Sequence, residues 1–200
     1  MRAKLLAVLL LLGPVLASAE VLKIKVDAPI HPVTSEYVVK SLERADRDGA
    51  DLVILTLDTP GGLDTSMREI IESIVNAKTP VAAFVGPAGS RAASAGFLIA
   101  LACDVFAMAP GTSTGSAHPV GVSLTGQAMD KTMEEKVTHD AAAYVRSIAE
   151  KRGRNVTMAE DAVRKSLSYT ETEALDGGLI DLVAASEEEI ASRLDGRTIK

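Results

Sequence analysis

The sequence is poor in aromatic residues and nearly empty of cysteine. Its 200 residues include no Trp, three Tyr, three Phe and one Cys. The core must therefore be built from Ala, Val, Leu, Ile and Met, and few faces are on offer for stacking bases. Positive charge is in the minority, with 21 Lys and Arg against 27 Asp and Glu, a formal charge of −6. With neither a basic balance nor aromatic platforms, nucleic acid is not an expected partner. A lone cysteine closes no internal disulfide. Cys103 ends the apolar run Ile99-Ala100-Leu101-Ala102-Cys103, the setting of a small buried hydrophobe. Neither G-x-x-x-x-G-K-[ST] nor G-x-G-x-x-G occurs, so both phosphate-binding fingerprints are missing. No cofactor or metal site is expected.

What is present begins at the N-terminus. Met1-Arg2-Ala3-Lys4 supplies two positive charges, and Leu5 to Leu16 is an apolar run interrupted by Gly13 and Pro14. Ala17-Ser18-Ala19 follows, a small-x-small pattern for cleavage before Glu20. This is the layout of a secretory signal peptide over residues 1–19, ahead of one domain over 20–200. The run falls short of the roughly 20 apolar residues that span a bilayer, although an uncleaved anchor is the alternative. Either way an extracytoplasmic location is expected.

From Glu20 onward the pattern alternates between strands and helices. Val21 to Val26 alternates apolar and polar, as a half-buried strand does. Ser35 to Ala50 is amphipathic at helical spacing. Leu52-Val53-Ile54-Leu55-Thr56-Leu57 is a continuous run of the kind buried on both faces of a parallel sheet. Asp64 is placed to cap a helix reaching about Ala77. Val81 to Val85 and Val105 to Ala109 read as strands, with a helix between them from about Ala92 to Cys103. Pro110 to Gly126, rich in Gly, Ser, Thr and Pro, reads as a long loop, and a long helix follows from about Ala128 to Lys151. Thr157-x-x-Glu160, Thr170-x-x-Glu173 and Ser186-x-x-Glu189 have capping-box spacing, and Leu179 to Ala184 reads as a strand. The succession predicts one α/β domain with a mainly parallel sheet.

Two stretches could carry chemistry. Asp58-Thr59-Pro60-Gly61-Gly62 follows a buried strand, and its glycines let the backbone approach a ligand and point an N–H at it. Ser90-Arg91-Ala92-Ala93-Ser94-Ala95-Gly96 opens an apolar helix. Ser94 there is either an ordinary helix cap or a nucleophile whose developing oxyanion is met by the N–H groups of the first turn. The G-x-S-x-G elbow is not matched, because position 92 is Ala. A nucleophilic serine needs a base. His31, His118 and His139 stand in no recognisable triad order, although His118 could orient the loop or accept a proton. A desolvated lysine can do the same work, and Lys131 and Lys136 begin the long helix. Asp140, at i+4 from Lys136, offers that lysine an ordinary surface ion pair instead. Composition and spacing do not choose among these.

Taken together, Leu57 to Gly62, Ala92 to Gly96, Ala107 to Thr112, Gly115 to Pro119, Lys136, Tyr144 to Ala149 and Gly153-Arg154-Asn155 resemble, in this order, the N-terminal protease domain of the NfeD family. Those proteins are membrane-associated serine proteases of the ClpP/crotonase superfamily, akin to signal peptide peptidase A. The resemblance covers about Val21 to Ala184. It implies a spiral of ββα units and a Ser-Lys dyad, with Ser94 as nucleophile and Lys136 as base. It further implies an oxyanion hole from the N–H groups of Gly62 and Ala95, and a homodimer or higher homo-oligomer. The implied substrates are hydrophobic segments of stomatin-like membrane proteins. Family members usually continue into transmembrane helices and a small β-barrel domain, which this sequence does not contain. The competing readings are a crotonase-type acyl-thioester enzyme and a non-catalytic partner-binding module. On the sequence pattern, export should remove residues 1–19. N-terminal sequencing of the exported chain should read Glu20 first, and a membrane fraction that retains Met1 would establish the anchor instead.

Overall fold

The computed structural model describes residues 20–120 and 130–199. The segments 1–19 and 121–129 lie outside them, and with them the signal-peptide reading and the end of the 110–126 loop. The elements are β1 (Val21–Asp27), α1 (Pro32–Asp48), β2 (Leu52–Asp58), α2 (Asp64–Asn76), β3 (Val81–Val85), β4 (Arg91–Ala93), α3 (Ala95–Ala102) and β5 (Val105–Met108). They continue with β6 (Ser113–Gly115), α4 (Lys131–Lys151), α5 (Val156–Arg164), β7 (Ser168–Thr170), α6 (Glu171–Asp176), β8 (Leu182–Val183) and α7 (Glu187–Leu194).

β1, β2, β3, β5 and β8 form one sheet in that order, every neighbouring pair parallel. In a parallel sheet whose strand order never reverses, crossovers of one hand lay successive helices on the same face. The side chains divide accordingly. Val53, Leu55 and Leu57 of β2 join the larger core, which includes apolar residues of α1 to α5. Leu52 and Ile54 point the other way and meet Ile190 and Leu194 of α7. Burial on both faces is why β2 reads as an unbroken apolar run. A second sheet of β4, β6 and β7 pairs β4 with β6 in parallel and β6 with β7 antiparallel.

Several boundaries depart from the sequence reading for local reasons. α1 starts earlier than Ser35, because the His31 side chain accepts from the Thr34 N–H and Pro32 fits the first turn. Gly49, at φ 76°, ends it. Asp64 does not cap α2. Leu63 holds the cap position without a side-chain bond, and Asp64 is the first helical residue, where its charge suits the helix dipole. The helix expected from Ala92 begins at Ala95, since Arg91–Ala93 pairs with β6. Thr157 is not a cap either: Asn155 accepts from the Met158 N–H and opens α5 one residue before it. Thr170 and Glu173 form the expected capping box. Ser186 caps α7, but Glu189 returns to the Ala185 N–H, outside the box pattern. Only Leu182–Val183 of the 179–184 run forms a strand.

α3 is buried along its whole length, so the carbonyls at its C-terminal end need partners that are not water. Two arginines after α4 supply them. Arg154 donates to the Leu101 and Cys103 carbonyls and pairs with Asp181 at 2.6 Å. Arg152 donates to the Ala102 carbonyl at 2.7 Å and pairs with Asp104 at 2.5 Å. Burial also pushes the Cys103 thiol up to about 12, which leaves it an inert core group. Arg154→Leu should therefore destabilise the fold by about 3 kcal/mol, because two buried carbonyls lose their donor. Urea unfolding should show a lower midpoint at unchanged m-value. A loss below about 1 kcal/mol would mean that water replaces the guanidinium.

Candidate active site

The C-terminal ends of β2 and β3 release the two loops that the sequence singled out. The loop after β2 is pinned as a short parallel bridge, in which the Ile30 N–H donates to the Gly61 carbonyl and the Leu63 N–H to the Ile30 carbonyl, each at 2.8 Å. In that pattern the intervening Gly62 N–H points away from Ile30, and it has no hydrogen-bond partner among the described residues. Glycine is required here. A Cβ on Gly62 would lie 2.0 Å from the Ile30 oxygen, and one on Gly61, at φ 107°, would lie 2.5 Å from the Ser94 Cβ.

Ser94 sits between β4 and α3 with φ 53° and ψ −119°. This is the backbone of the first central residue of a type II′ turn, costly for a residue with a side chain. The turn is held from several sides. The Ser94 N–H donates to the Gly115 carbonyl at 2.9 Å, and Thr59 bridges β4 through Thr59 N to Arg91 O and Ala93 N to Thr59 O. Ser94 occupies the cap position of α3 yet makes no capping bond, so the ordinary-cap reading does not hold. Its hydroxyl is left half-buried at the helix start. Although G-x-S-x-G is not matched, the strand, strained serine and helix produce the same sharp elbow. The Ala95 N–H, first of the helix, likewise has no hydrogen-bond partner among the described residues.

Ser94, Ala95 and Gly62 line one cleft of about 390 Å³. Met67, Leu98, Ala117 and Val137 give it apolar walls, and Arg68 and Asp140 stand among its lining residues. One wall is fixed by backbone bonds from Ser116 N to Leu167 O and from Ala117 N to Ala162 O. A groove between α1 and α2, of about 510 Å³, is lined by Glu36, Glu43, Asp46, Glu69 and Glu72 with no cationic side chain. Such a field opposes a developing oxyanion.

Lys136 is not among the residues lining the Ser94 cleft. It is exposed on α4, at the edge of the face that sends Val137, Asp140 and Ala141 into the cleft. Nor does it pair with Asp140, whose carboxylate takes Arg68 at 2.8 Å. Among the described residues Lys136 has no ion pair. His118 lines a separate cleft with Lys131, Glu134 and His139. Its Nδ1 lies 3.0 Å from the Val163 carbonyl and its Nε2 3.6 Å from Glu134, which ties the loop to α5 and α4. The sequence reading missed Arg68, which joins α2 to α4 across 72 positions of chain, a separation at which no local pattern operates.

A strained serine between strand and helix, two N–H groups without partners among the described residues and a singly wound parallel sheet define a ClpP-like α/β fold. ClpP1 from Listeria monocytogenes shares it, with TM-score 0.65 at 20% identity over 83% of this chain and 92% of that one. More narrowly, the chain belongs to the NfeD1b N-terminal domain family, whose profile matches residues 20–193. It is similar to the membrane-bound protease PH1510 of Pyrococcus horikoshii, at 37% identity over all of this chain and 46% of that protein. The chain thus spans about half the length of that relative. The 1510-N membrane-bound stomatin-specific protease has been solved as a serine-to-alanine variant, with TM-score 0.84 at 37% identity over 92% of this chain and 88% of that one. A lysine-to-alanine variant of that protease, in complex with a substrate peptide, gives 0.83 at 36% over 92% and 84%.

Gly62→Ala should be costly although it adds one methyl group, because backbone atoms rather than a movable side chain stand in its way. We expect a loss on the order of 1 to 3 kcal/mol in urea unfolding. A neutral substitution would show that the 61–63 segment is not held against Ile30.

Proposed function

We propose that the chain is a serine endopeptidase in which Ser94 is the nucleophile, Lys136 the general base, and the N–H groups of Gly62 and Ala95 the oxyanion hole. The observation that carries this reading is the Ser94 turn, which presents an uncapped hydroxyl beside two N–H groups without partners. The residue types altered in the solved relative, one serine and one lysine, support the dyad. An extended peptide entering the cleft sets its carbonyl oxygen toward Gly62 and Ala95. Ser94 Oγ bonds to the carbonyl carbon and its proton passes to Lys136 Nζ. The resulting oxyanion is held by donors that need no rearrangement. As the C–N bond breaks, the Lys136 ammonium returns the proton to the leaving amine. Water then attacks the acyl-enzyme, again giving its proton to Lys136, which passes it to Ser94 Oγ as the ester bond breaks.

Apolar cleft walls favour hydrophobic segments, and stomatin-like membrane proteins are the substrates this reading assigns, in keeping with the name of the solved relative. A homodimer or higher homo-oligomer at the outer face of a membrane completes the proposal, and the membrane-bound relative supports its association with a membrane. No described helix is long and apolar enough to cross a membrane.

Lys136 must be uncharged to take a proton, and a free lysine, with pKa near 10.4, is almost entirely charged at neutral pH. A peptide laid over the cleft would exclude water from the lysine and favour the neutral form. Cleavage of an apolar peptide should therefore rise with pH as the base loses its proton. Ser94→Ala should lower kcat/KM by about 1,000-fold or more and abolish fluorophosphonate labelling. Lys136→Ala and Lys136→Arg should be equally inactive, since guanidinium does not accept a proton at these pH values. Label on another serine, or an active Lys136→Arg, would overturn the assignment.

A further inference from the structure

Arg68 is held at three points. Its guanidinium pairs with Asp64 at 2.9 Å on its own helix and with Asp140 at 2.8 Å on α4, and it lies 4.3 Å from the centroid of the Tyr144 ring. Burial works against its charge, yet the two carboxylates hold its pKa above the ordinary arginine value. The Arg68 side chain is 39% exposed and that of Asp140 71%, and pairs so open to water add little to stability. The arrangement therefore calls for a role other than holding the fold together.

The sequence around Lys136 supplies one. On a helix its neighbours are the residues three and four positions away, here Thr132, Met133, His139 and Asp140. Asp140 is the one carboxylate among them. A carboxylate beside a lysine favours the charged ammonium, the form that cannot accept a proton. We infer that Arg68 is a positioning residue for the proposed base: by occupying the Asp140 carboxylate, it keeps Asp140 from pairing with Lys136 and so leaves the lysine free to turn toward Ser94 uncharged. This rests on the Ser94–Lys136 reading.

Several other charges of the neighbourhood have partners of their own. Asp64 pairs with Arg68, and Glu134 lies against His118. Glu160 of α5 pairs with Arg146 and Arg164, and Arg164 reaches His139 at 3.5 Å. α3, which packs on α4, carries no ionisable side chain. Segment 121–129 contains none either. Lys131 and Glu135 line the His118 cleft instead of the Ser94 cleft. Asp140 is thus the carboxylate that must be kept from Lys136, and Arg68 is the residue that holds it.

The test is the pH–rate profile of the full chain on a fluorogenic apolar peptide, with Arg68→Gln, Asp140→Asn, the double variant and Lys136→Ala. Arg68→Gln should move the rising limb about one pH unit to the alkaline side. Activity at neutral pH then falls about tenfold and recovers at high pH. Adding Asp140→Asn should return the limb toward its original position. An equal loss at every pH without rescue would mark Arg68 as a packing residue and overturn the inference, as would an unmoved limb. Should Arg68→Gln fail to fold, Asp140→Asn alone decides. With Asp140 already held by Arg68, it should leave the limb in place or move it to lower pH, and an alkaline limb would overturn the inference. Lys136→Ala separates the two levels. If it is inactive while the Arg68→Gln limb stays put, only the role of Arg68 fails; if it is active, the dyad itself fails.

Discussion

The left-handed turn at Ser94 is the constraint on which the site depends. A side chain at φ 53° persists only when its surroundings leave no alternative. Here they come from two other stretches of chain: Gly115 accepts from the Ser94 N–H, while in the loop after β2 Thr59 ladders with β4 and Gly61 leaves room at the Ser94 Cβ. The bonds that hold the turn are the ones that aim it. Because the Ser94 N–H is spent on Gly115, the next free N–H of the chain is that of Ala95, at the start of α3. Because the Ile30 bridge uses the groups on either side of Gly62, the Gly62 N–H is turned outward. The same backbone pairing therefore makes the strain and leaves the two donors unused.

The rest of the fold keeps that turn rigid. α3 is apolar on every side and buried along its length, so it cannot shift without opening the core. At its far end Arg152 and Arg154 reach from the end of α4, the helix that carries Lys136 near its start. α3 and α4 are thereby tied at the end remote from Ser94. At the near end the tie between α2 and α4 is the exposed Arg68–Asp140 pair.

How much of this was legible in the sequence follows from the range of the forces involved. β2 and β3 were evident because strands buried on both faces need continuous apolar residues, and that requirement is local. The loop Asp58 to Gly62 and the stretch Ser90 to Gly96 stood out locally too, as a Gly-Gly turn after a buried strand and a serine opening an apolar helix, while the particular roles of Gly62 and Ser94 came from the family resemblance. β4, β6 and β7 were not legible: each has three residues and exists through pairing partners far along the chain. That pairing also moved the start of α3 from Ala92 to Ala95. At Asn155 and Thr157 two capping residues compete two positions apart. Asn155 wins because its amide also donates to the Gly177 carbonyl, a contact no local spacing encodes.

Lys136 marks the boundary between residue type and placement. The sequence offered a lysine and, one helical turn on, an aspartate, which by themselves predict a surface ion pair. The structure gives the aspartate to Arg68, 72 positions away, and leaves the lysine exposed beside the cleft. A lysine engaged by Asp140 would have to break that pair before reaching the serine, and the local attraction would oppose its deprotonation. One held by nothing has only its own hydration to lose. Under the proposed reading, turning Lys136 from the edge of its helix face toward Ser94 brings it against the apolar walls made by Met67, Leu98 and Val137.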